Sequence, residues 1–269
     1  MSRKATIKNI RLYLFDMDGT LYLGDRLFDF SKELLKKIRQ SGADYLFMTN
    51  NSSKSVSAYI EKLERLGMKA VKEDFITSSQ ATAYYLKKHH PNARLYVCGT
   101  QSLKDELKEN GFTVTEKLDE VDAVVMGFDT ELTFKKLEDV CKLLLSRDLP
   151  YIATNPDYVC PTEYGAVPDC GSVCDMIYNA TKKRPTVIGK PQPLMPQLAM
   201  EMKGVSPEHT AVVGDRIYTD IKSGINAGTR TVLVMSGETD PKILAASAEQ
   251  PDLILPDCGA LLRLLRGNN

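Results

Sequence analysis

The chain has 269 residues, with 35 Lys and Arg against 35 Asp and Glu, so its formal net charge is zero. This length allows one large domain or two modest ones, each with its own core. The balanced charge gives no electrostatic signature of nucleic acid or an anionic membrane as a partner. No apolar stretch approaches the roughly 20 residues that span a bilayer. The N-terminus does not resemble a signal peptide and the six cysteines are scattered, so we expect a cytoplasmic protein without disulfides.

Short apolar segments alternate with amphipathic helical segments along the chain. IRLYLFD predicts a strand, and SKELLKKIRQSG predicts a helix that ends at Gly42. ADYLFMTNN predicts the next strand, and SVSAYIEKLERLG a helix that ends at Gly67. The further predicted strands, in chain order, are ARLYVCG, VDAVVMGFD, LPYIATN, PTVIGK, HTAVVGD, RTVLVMSG and DLILP. This alternation predicts an α/β fold with parallel sheets built from βαβ units.

The middle third of the chain contains a strand–helix alternation of its own. It also contains the segment NPDYVCPTEYGAVPDCGS, residues 155–172, which shows no evident secondary structure. A loop of this length is more often functional than incidental. We therefore predict an inserted α/β domain over residues 82–182. Residues 1–81 and 183–269 are predicted to form a discontinuous core domain around it.

Unusual side chains close four of the predicted strands, in DMDGT, MTNN, IGKP and VVGDRIYTD. In parallel α/β folds, ligands bind beyond the carboxyl ends of the strands. Asp16 and Asp18 point the same way if the strand is still extended there, which indicates either a shared proton or a bound cation. Asp215 offers a third oxygen ligand. An all-oxygen set with few protein ligands favours Mg²⁺, which often accompanies phosphate-bearing substrates.

Two further strand ends supply groups that suit a phosphate. Thr49 gives a hydroxyl donor for a phosphoryl oxygen, and Lys190 gives a compact positive charge. Together with Asp16 and Asp18, these residues provide a nucleophile, an acid/base carboxylate, a cation site and phosphate ligands. Those parts are the ones needed for phosphoryl transfer through a covalent aspartyl-phosphate.

The motifs FDMDGT, MTNNS, IGKPQP and VVGDRIYTDI, in that order, resemble the four motifs of the haloacid dehalogenase superfamily of phosphatases. DMDGTLYLG, TNNSS, GKPQP, GDRIYTDI and TVLVMSG are similar to its NagD-like, p-nitrophenylphosphatase-like branch. The insertion also falls between the second and third motifs, where that branch carries a class II cap. The resemblance extends from about Leu12 to about Gly237, and it implies a Rossmann-like parallel-sheet core with an α/β cap.

The resemblance implies roles for the core residues. Asp16 would be the nucleophile, and Asp18 would protonate the leaving alcohol and then activate water. Mg²⁺ would be held by the Asp16 carboxylate, the Asp18 backbone carbonyl and Asp215. Lys190 would offset the charge of Asp16 and of the phosphoryl group. Asp220 would orient Lys190 or a water on the metal, with a helix N-cap as the alternative for this residue.

The resemblance also implies substrate contacts. Thr49 and the backbone of Asn50 and Asn51 would hold the transferring phosphoryl group. In the cap segment, the candidate substrate contacts are Asp157, Cys160, Pro161 and Glu163. The family commonly has Pro-Gly-x-Gly where this chain reads PDCG, at residues 168–171, so the specificity of relatives does not transfer directly. The cap would also offer a surface for a homodimer.

The expected function is a Mg²⁺-dependent phosphomonoester hydrolase that acts on a small phosphorylated metabolite. Nucleoside monophosphates, sugar phosphates and phosphoglycolate are the substrate types considered. A phosphotransferase or mutase on the same scaffold is the first alternative, because it would use the same aspartyl-phosphate. A non-enzymatic phosphate-responsive module is the second, although an acid/base carboxylate at Asp18 favours hydrolysis over a lasting phosphorylated state.

Overall fold

Strands and helices alternate along the chain, and the computed structural model describes residue 7, residues 9–162 and residues 164–267. The strands are β1 (Leu12–Phe15), β2 (Tyr22–Leu23), β3 (Arg26–Leu27), β4 (Asp44–Thr49), β5 (Phe75–Thr77), β6 (Arg94–Cys98), β7 (Thr113–Val114), β8 (Ala123–Met126), β9 (Tyr151–Ala153), β10 (Val159–Thr162), β11 (Gly165–Pro168), β12 (Thr186–Val187), β13 (Thr210–Gly214), β14 (Arg230–Val234) and β15 (Leu253–Leu255). The α-helices are α1 (Ser31–Gln40), α2 (Val56–Arg65), α3 (Ser78–His89), α4 (Gln101–Glu109), α5 (Phe134–Ser146), α6 (Cys170–Thr181), α7 (Leu194–Lys203), α8 (Lys222–Ala227), α9 (Pro241–Ala246) and α10 (Cys258–Leu265).

The chain divides into two compact units. The first unit consists of Met1–Thr49, Ile60–Ile76 and Lys190–Asn269. The second unit consists of Asn50–Tyr59 and Thr77–Gly189. The insertion predicted over residues 82–182 lies within the second unit.

The first unit contains a six-stranded sheet in the order β15-β14-β13-β1-β4-β5. Strand β1 pairs in parallel with both β4 and β13, with Phe15 opposite Phe47 and Val213. All four residues of β1 are buried, which is typical of a strand covered on both faces of a parallel sheet. The predicted α/β parallel-sheet core is confirmed. Because neighbouring parallel strands end at the same edge, the residues that follow β1 and β13 lie side by side.

Helix α1 shows how the local sequence produces the predicted elements. Leu34, Leu35 and Ile38 recur at helical spacing and are buried on one face, while its other positions are mostly exposed. The helix is followed by Gly42, which has a φ of +81°. Glycine tolerates this left-handed backbone, so it ends the helix without steric strain. The predicted end of the helix at Gly42 therefore agrees with the structure to within two residues.

The second unit has its own five-stranded sheet in the order β12-β9-β8-β6-β7. Every neighbouring pair in this sheet is parallel. Its apolar core contains residues from β6, β8, α5 and α6, among them Tyr96, Met126, Leu143 and Ile177. Cys98, Cys170 and Cys174 belong to the same buried cluster. Cys98, Cys170, Cys174 and Cys258 are buried and the other two cysteines partly buried, and all six are free thiols, as the sequence predicts.

The segment at residues 155–172 is not the unstructured loop that the sequence predicts. It contains an antiparallel hairpin in which β10 pairs with β11, with Val159 opposite Pro168 and Thr162 opposite Gly165. The next residues, from Cys170, begin helix α6. Pro161 and Pro168 obscured the strands, because proline normally weakens a strand prediction. In a two-stranded hairpin, however, both strands are edge strands, where proline is tolerated.

Within the described residues, no helix combines the length and the apolar character that crossing a lipid bilayer requires.

Candidate active site

Three carboxylates of the first unit meet beyond the ends of β1 and β13. Asp16 follows β1, Asp215 follows β13, and Asp220 lies in a π-helical turn over Ile217–Ile221. One carboxylate oxygen from each residue lies within 4.8 Å of the other two. Asp215 and Asp220 are buried, and Asp16 is half-buried. Three negative charges this close and this poorly hydrated require positive charge between them.

Lys190 supplies one positive charge from inside this cluster. Its Nζ donates hydrogen bonds to Asp16 Oδ1 at 2.7 Å, Asp220 Oδ1 at 2.5 Å and the Met48 carbonyl at 3.1 Å. The residue is only 3% exposed. Burial lowers the pKa of Lys190, but the charges of Asp16 and Asp220 outweigh that effect and hold the pKa above its ordinary value. Lys190 is therefore a charged ammonium bonded to both Asp16 and Asp220.

Asp220 is engaged by the protein through both of its carboxylate oxygens. Its Oδ1 accepts the bond from Lys190, and its Oδ2 accepts a hydrogen bond from the backbone N–H of Arg216 at 3.1 Å. Helix α8 begins at Lys222 and has no side-chain cap, so the N-cap alternative for Asp220 finds no hydrogen bond to support it. This geometry favours the interpretation that Asp220 orients Lys190.

Asp215 differs because one of its oxygens is left without a partner. Asp215 Oδ2 accepts a hydrogen bond from the Glu238 N–H at 2.6 Å. Asp215 Oδ1 is buried and has no hydrogen-bond partner in the part of the chain that the structure describes. A buried acceptor of this kind costs free energy unless it binds something. Burial raises the pKa of Asp215 to about 8, with further contributions from the charges of Asp16 and Asp220.

The cluster therefore fits a divalent cation. The pKa of Asp16 is raised to about 6, because burial and the charge of Asp220 outweigh the opposing effect of Lys190. Without a cation, Asp16 and Asp215 resist being charged together. The unpartnered Oδ1 of Asp215 and the all-oxygen donor set are what a hard divalent cation such as Mg²⁺ prefers.

Asp18 and Thr49, the two other predicted catalytic residues, differ in their exposure to solvent. Asp18 is exposed, and its Oδ1 accepts a hydrogen bond from the Gly24 N–H at 3.3 Å. The Asp18 carboxylate is thus accessible to solvent, which suits the predicted acid/base role. Thr49 is the last residue of β4 and is 8% exposed, so it stands at the same edge of the sheet as Asp16.

The predicted substrate residues Asn50, Asn51 and Asp157 belong to the second unit and use their side chains for internal hydrogen bonds. Asp157 Oδ2 accepts hydrogen bonds from the side-chain amides of Asn50 at 2.7 Å and Asn155 at 2.9 Å. Asn51 Oδ1 accepts the N–H of Ser53 at 2.9 Å and its hydroxyl at 2.7 Å. These bonds order the chain just after Thr49, which leaves the predicted phosphate contacts to the backbone.

The remaining predicted cap residues lie in the hairpin of the second unit. Cys160 is in β10 and half-buried, and its Sγ lies 3.7 Å from the Pro161 carbonyl oxygen. Glu163 lies outside the described residues. Substrate contact by Cys160 and Pro161 stays a prediction.

Sequence reasoning did not assign a role to Arg216 and Glu238. Arg216 Nε and Glu238 Oε2 form an ion pair at 2.8 Å, and the Tyr218 hydroxyl also contacts the Glu238 carboxylate. Burial lowers the pKa of Arg216, but the charges of Asp16 and Glu238 raise it further, so the guanidinium stays charged. The first unit thus has a second cation near Asp16. The only signal in the sequence was the arginine directly after Asp215.

Two family models match the chain. Residues 13–113 match one described as haloacid dehalogenase-like hydrolase, and residues 187–261 match one described as HAD-hydrolase-like. An acid sugar phosphatase from Staphylococcus haemolyticus is 33% identical over 97% of this chain and 99% of its own length. The 5'-nucleotidase YutF from Bacillus subtilis is 34% identical over 91% of this chain and 94% of its own.

Solved structures show the same similarity. The 4-nitrophenylphosphatase from Thermotoga maritima superposes with a TM-score of 0.92 at 38% identity, over 96% of this chain and 98% of that one. NagD from E. coli K-12 gives 0.85 at 28% identity, over 92% and 96% of the two chains. Relatives this similar over nearly their whole length show that the chain belongs to the haloacid dehalogenase-like hydrolase family. Within that family it is a phosphatase of the NagD-like branch, which confirms the resemblance in the motifs.

Proposed function

We propose that the protein is a Mg²⁺-dependent phosphomonoester hydrolase that acts through an aspartyl-phosphate on Asp16. The observation that carries this proposal is the asymmetry of the carboxylate cluster. Lys190 bonds Asp16 and Asp220, while Asp215 keeps a buried oxygen without a partner in the described residues. This arrangement supports a cation beside Asp16 on one side and an ammonium on the other.

In the first step, a carboxylate oxygen of Asp16 forms a bond to phosphorus as the bond from phosphorus to the leaving alcohol oxygen breaks. Asp18 gives its proton to that oxygen, so the alcohol leaves neutral. In the second step, Asp18 takes a proton from water, and the water oxygen attacks phosphorus as the bond from phosphorus to the Asp16 oxygen breaks. Inorganic phosphate is released and the Asp16 carboxylate is restored.

The surrounding residues support these steps through charge and position. Lys190 keeps Asp16 anionic and oriented, because its charge and its hydrogen bond oppose the rise in the pKa of Asp16 that burial causes. Thr49 and the backbone of Asn50 and Asn51 hold the phosphoryl oxygens. Mg²⁺, held by the carboxylates of Asp16 and Asp215 and the carbonyl of Asp18, would supply positive charge for the developing charge on the phosphoryl group.

The substrate is a small phosphorylated metabolite. Relatives named as an acid sugar phosphatase, a 5'-nucleotidase and a 4-nitrophenylphosphatase support sugar phosphates and nucleoside monophosphates as the first compounds to test. Phosphoglycolate is a further candidate. Asp157 and Cys160 as substrate contacts, a cytoplasmic location and a homodimer through the cap all stay predictions.

The experiment is phosphate release from a panel of phosphomonoesters, with Mg²⁺ and with a chelator. Asp16→Asn is expected to abolish turnover while the circular dichroism spectrum stays unchanged. Asp148→Asn is the matched control, because the Asp148 side chain is 97% exposed. Turnover retained in Asp16→Asn would contradict the nucleophile assignment. Transfer of the phosphoryl group to added alcohols would favour the phosphotransferase, and a lasting phosphorylated protein would favour the non-enzymatic alternative.

A further inference from the structure

The segment Gly237–Thr239, which follows β14, packs its backbone against Asp215 and leaves no room for a side chain at position 237. We infer that this segment positions the Asp215 carboxylate so that one oxygen binds the protein and the other faces the cation. The inference rests on the proposed Mg²⁺ dependence. It assigns a positioning role to three residues that lie outside the acidic motifs.

Gly237 makes the close approach of this segment possible. A Cβ added at Gly237 would overlap Asp215 Oδ2 and lie 2.5 Å from Asp215 Cγ. Gly19 approaches the same oxygen, since a Cβ there would lie 2.6 Å from Oδ2. Real Cβ atoms do not come this near to neighbouring atoms, so any larger residue at position 237 must displace the carboxylate. Two stretches of bare backbone therefore lie close against the Asp215 side chain.

Hydrogen bonds then fix the direction of the carboxylate. The Glu238 N–H donates to Asp215 Oδ2 at 2.6 Å, and the Thr239 N–H donates to the Asp215 carbonyl at 3.2 Å. The Thr239 hydroxyl accepts a hydrogen bond from the Ile217 N–H at 3.1 Å, which joins the segment to the turn that follows Asp215. Because Oδ2 is committed to Glu238, the buried Oδ1 is the oxygen left for a ligand.

The segment acts on the metal only through Asp215, so its loss should weaken metal binding without removing a ligand. Residues that orient metal ligands typically contribute about 10- to 100-fold in metal affinity. We expect Gly237→Ala to weaken Mg²⁺ binding by a factor in that range. The same change should leave the secondary structure intact, because the added methyl displaces a side chain and not a backbone segment.

The test is isothermal titration calorimetry of Mg²⁺ into the full chain, without substrate. Gly111→Ala is the matched control: Gly111, in the second unit, has a φ of +92° and an added Cβ there meets no atom within 4 Å, so that variant adds backbone strain without displacing a side chain. A second pair covers the case in which Gly237→Ala does not fold. Thr239→Val removes the hydroxyl acceptor and should weaken Mg²⁺ binding. Thr239→Ser keeps the acceptor and should bind Mg²⁺ with the affinity of the wild type.

The outcomes separate this inference from the proposed function. Weakened binding in Gly237→Ala and Thr239→Val, with affinity near that of the wild type in Gly111→Ala and Thr239→Ser, would support the positioning role. If the wild type binds Mg²⁺ and Gly237→Ala binds it with the same affinity, the inference alone is overturned. If Gly237→Ala does not fold, an unchanged Mg²⁺ affinity in Thr239→Val has the same meaning. A wild-type protein that binds no Mg²⁺ would overturn the proposed metal dependence and this inference with it.

Discussion

Replacing Lys190 by methionine tests whether the charge balance of the site holds the first unit together. Methionine approximates the length of lysine but carries no charge, so Lys190→Met leaves Asp16 and Asp220 facing each other without the ammonium. In the wild type, Lys190 Nζ donates hydrogen bonds to Asp16 at 2.7 Å and Asp220 at 2.5 Å, and Asp220 is fully buried. Removing one partner of a buried ion pair typically costs about 3–5 kcal/mol. We expect a loss of stability of that size in the metal-free protein at about pH 8.

The assay is urea unfolding followed by far-ultraviolet circular dichroism, because the chain contains no tryptophan. The deficit should shrink at about pH 5, since Asp16, whose pKa is raised to about 6, is then protonated and part of the uncompensated charge is removed. The double variant Lys190→Met with Asp220→Asn should recover part of the stability, because it removes one of the two charges, but no activity.

Lys183→Met is the control for this prediction. Lys183 pairs with Asp148 at 3.1 Å, but the two side chains are 48% and 97% exposed. Exposed pairs contribute below about 1 kcal/mol. If Lys190→Met were as stable as Lys183→Met at about pH 8, the argument from uncompensated buried charge would be refuted.

Three further predictions address the proposed metal, the proposed acid/base residue Asp18 and the second unit. Burial raises the pKa of Asp215 to about 8 and of Asp16 to about 6, above the value of about 3.9 in an unfolded chain. The metal-free protein should therefore lose stability as pH rises through this interval, and the increase in Tm caused by Mg²⁺ should grow with pH; a pH-independent increase would contradict this. Asp18→Asn should lower kcat by about 100- to 10,000-fold without weakening Mg²⁺ binding, and calorimetry beside kinetics checks both. Gly171→Ala places a Cβ 2.8 Å from the carbonyl carbon of Pro156, so it should destabilise the second unit by about 1–3 kcal/mol in urea unfolding; unchanged stability would show that the backbone there yields easily.

Much of the core could be predicted because its signals are local in the sequence. Strands β1, β4 and β13 consist mostly of consecutive apolar residues, which is typical of buried parallel strands. The strand ends then follow directly, so Asp16, Lys190 and Asp215 could be grouped from the order of the motifs alone.

Other features could not be predicted because they depend on contacts between distant segments. Which oxygen of Asp215 is left open depends on the N–H of Glu238, more than 20 residues away. The pairing of Arg216 with Glu238 has no periodic signature either. The hairpin at residues 159–168 was missed because its prolines argue against a strand in isolation, whereas pairing at an edge accommodates them.

The adjacency of β1 and β13 has a consequence for the newly made chain. Asp16 and Asp215 end neighbouring strands, yet about 200 residues of synthesis separate them. Ribosomes add about 5–20 residues per second, so Asp16 emerges about 10–40 s before Asp215. During that interval Lys190 is also absent for most of the time. Until about four fifths of the polypeptide has been translated, the nascent chain contains Asp16, Asp18 and Thr49 but not both Lys190 and Asp215, so the charged cluster beyond the strand ends is incomplete.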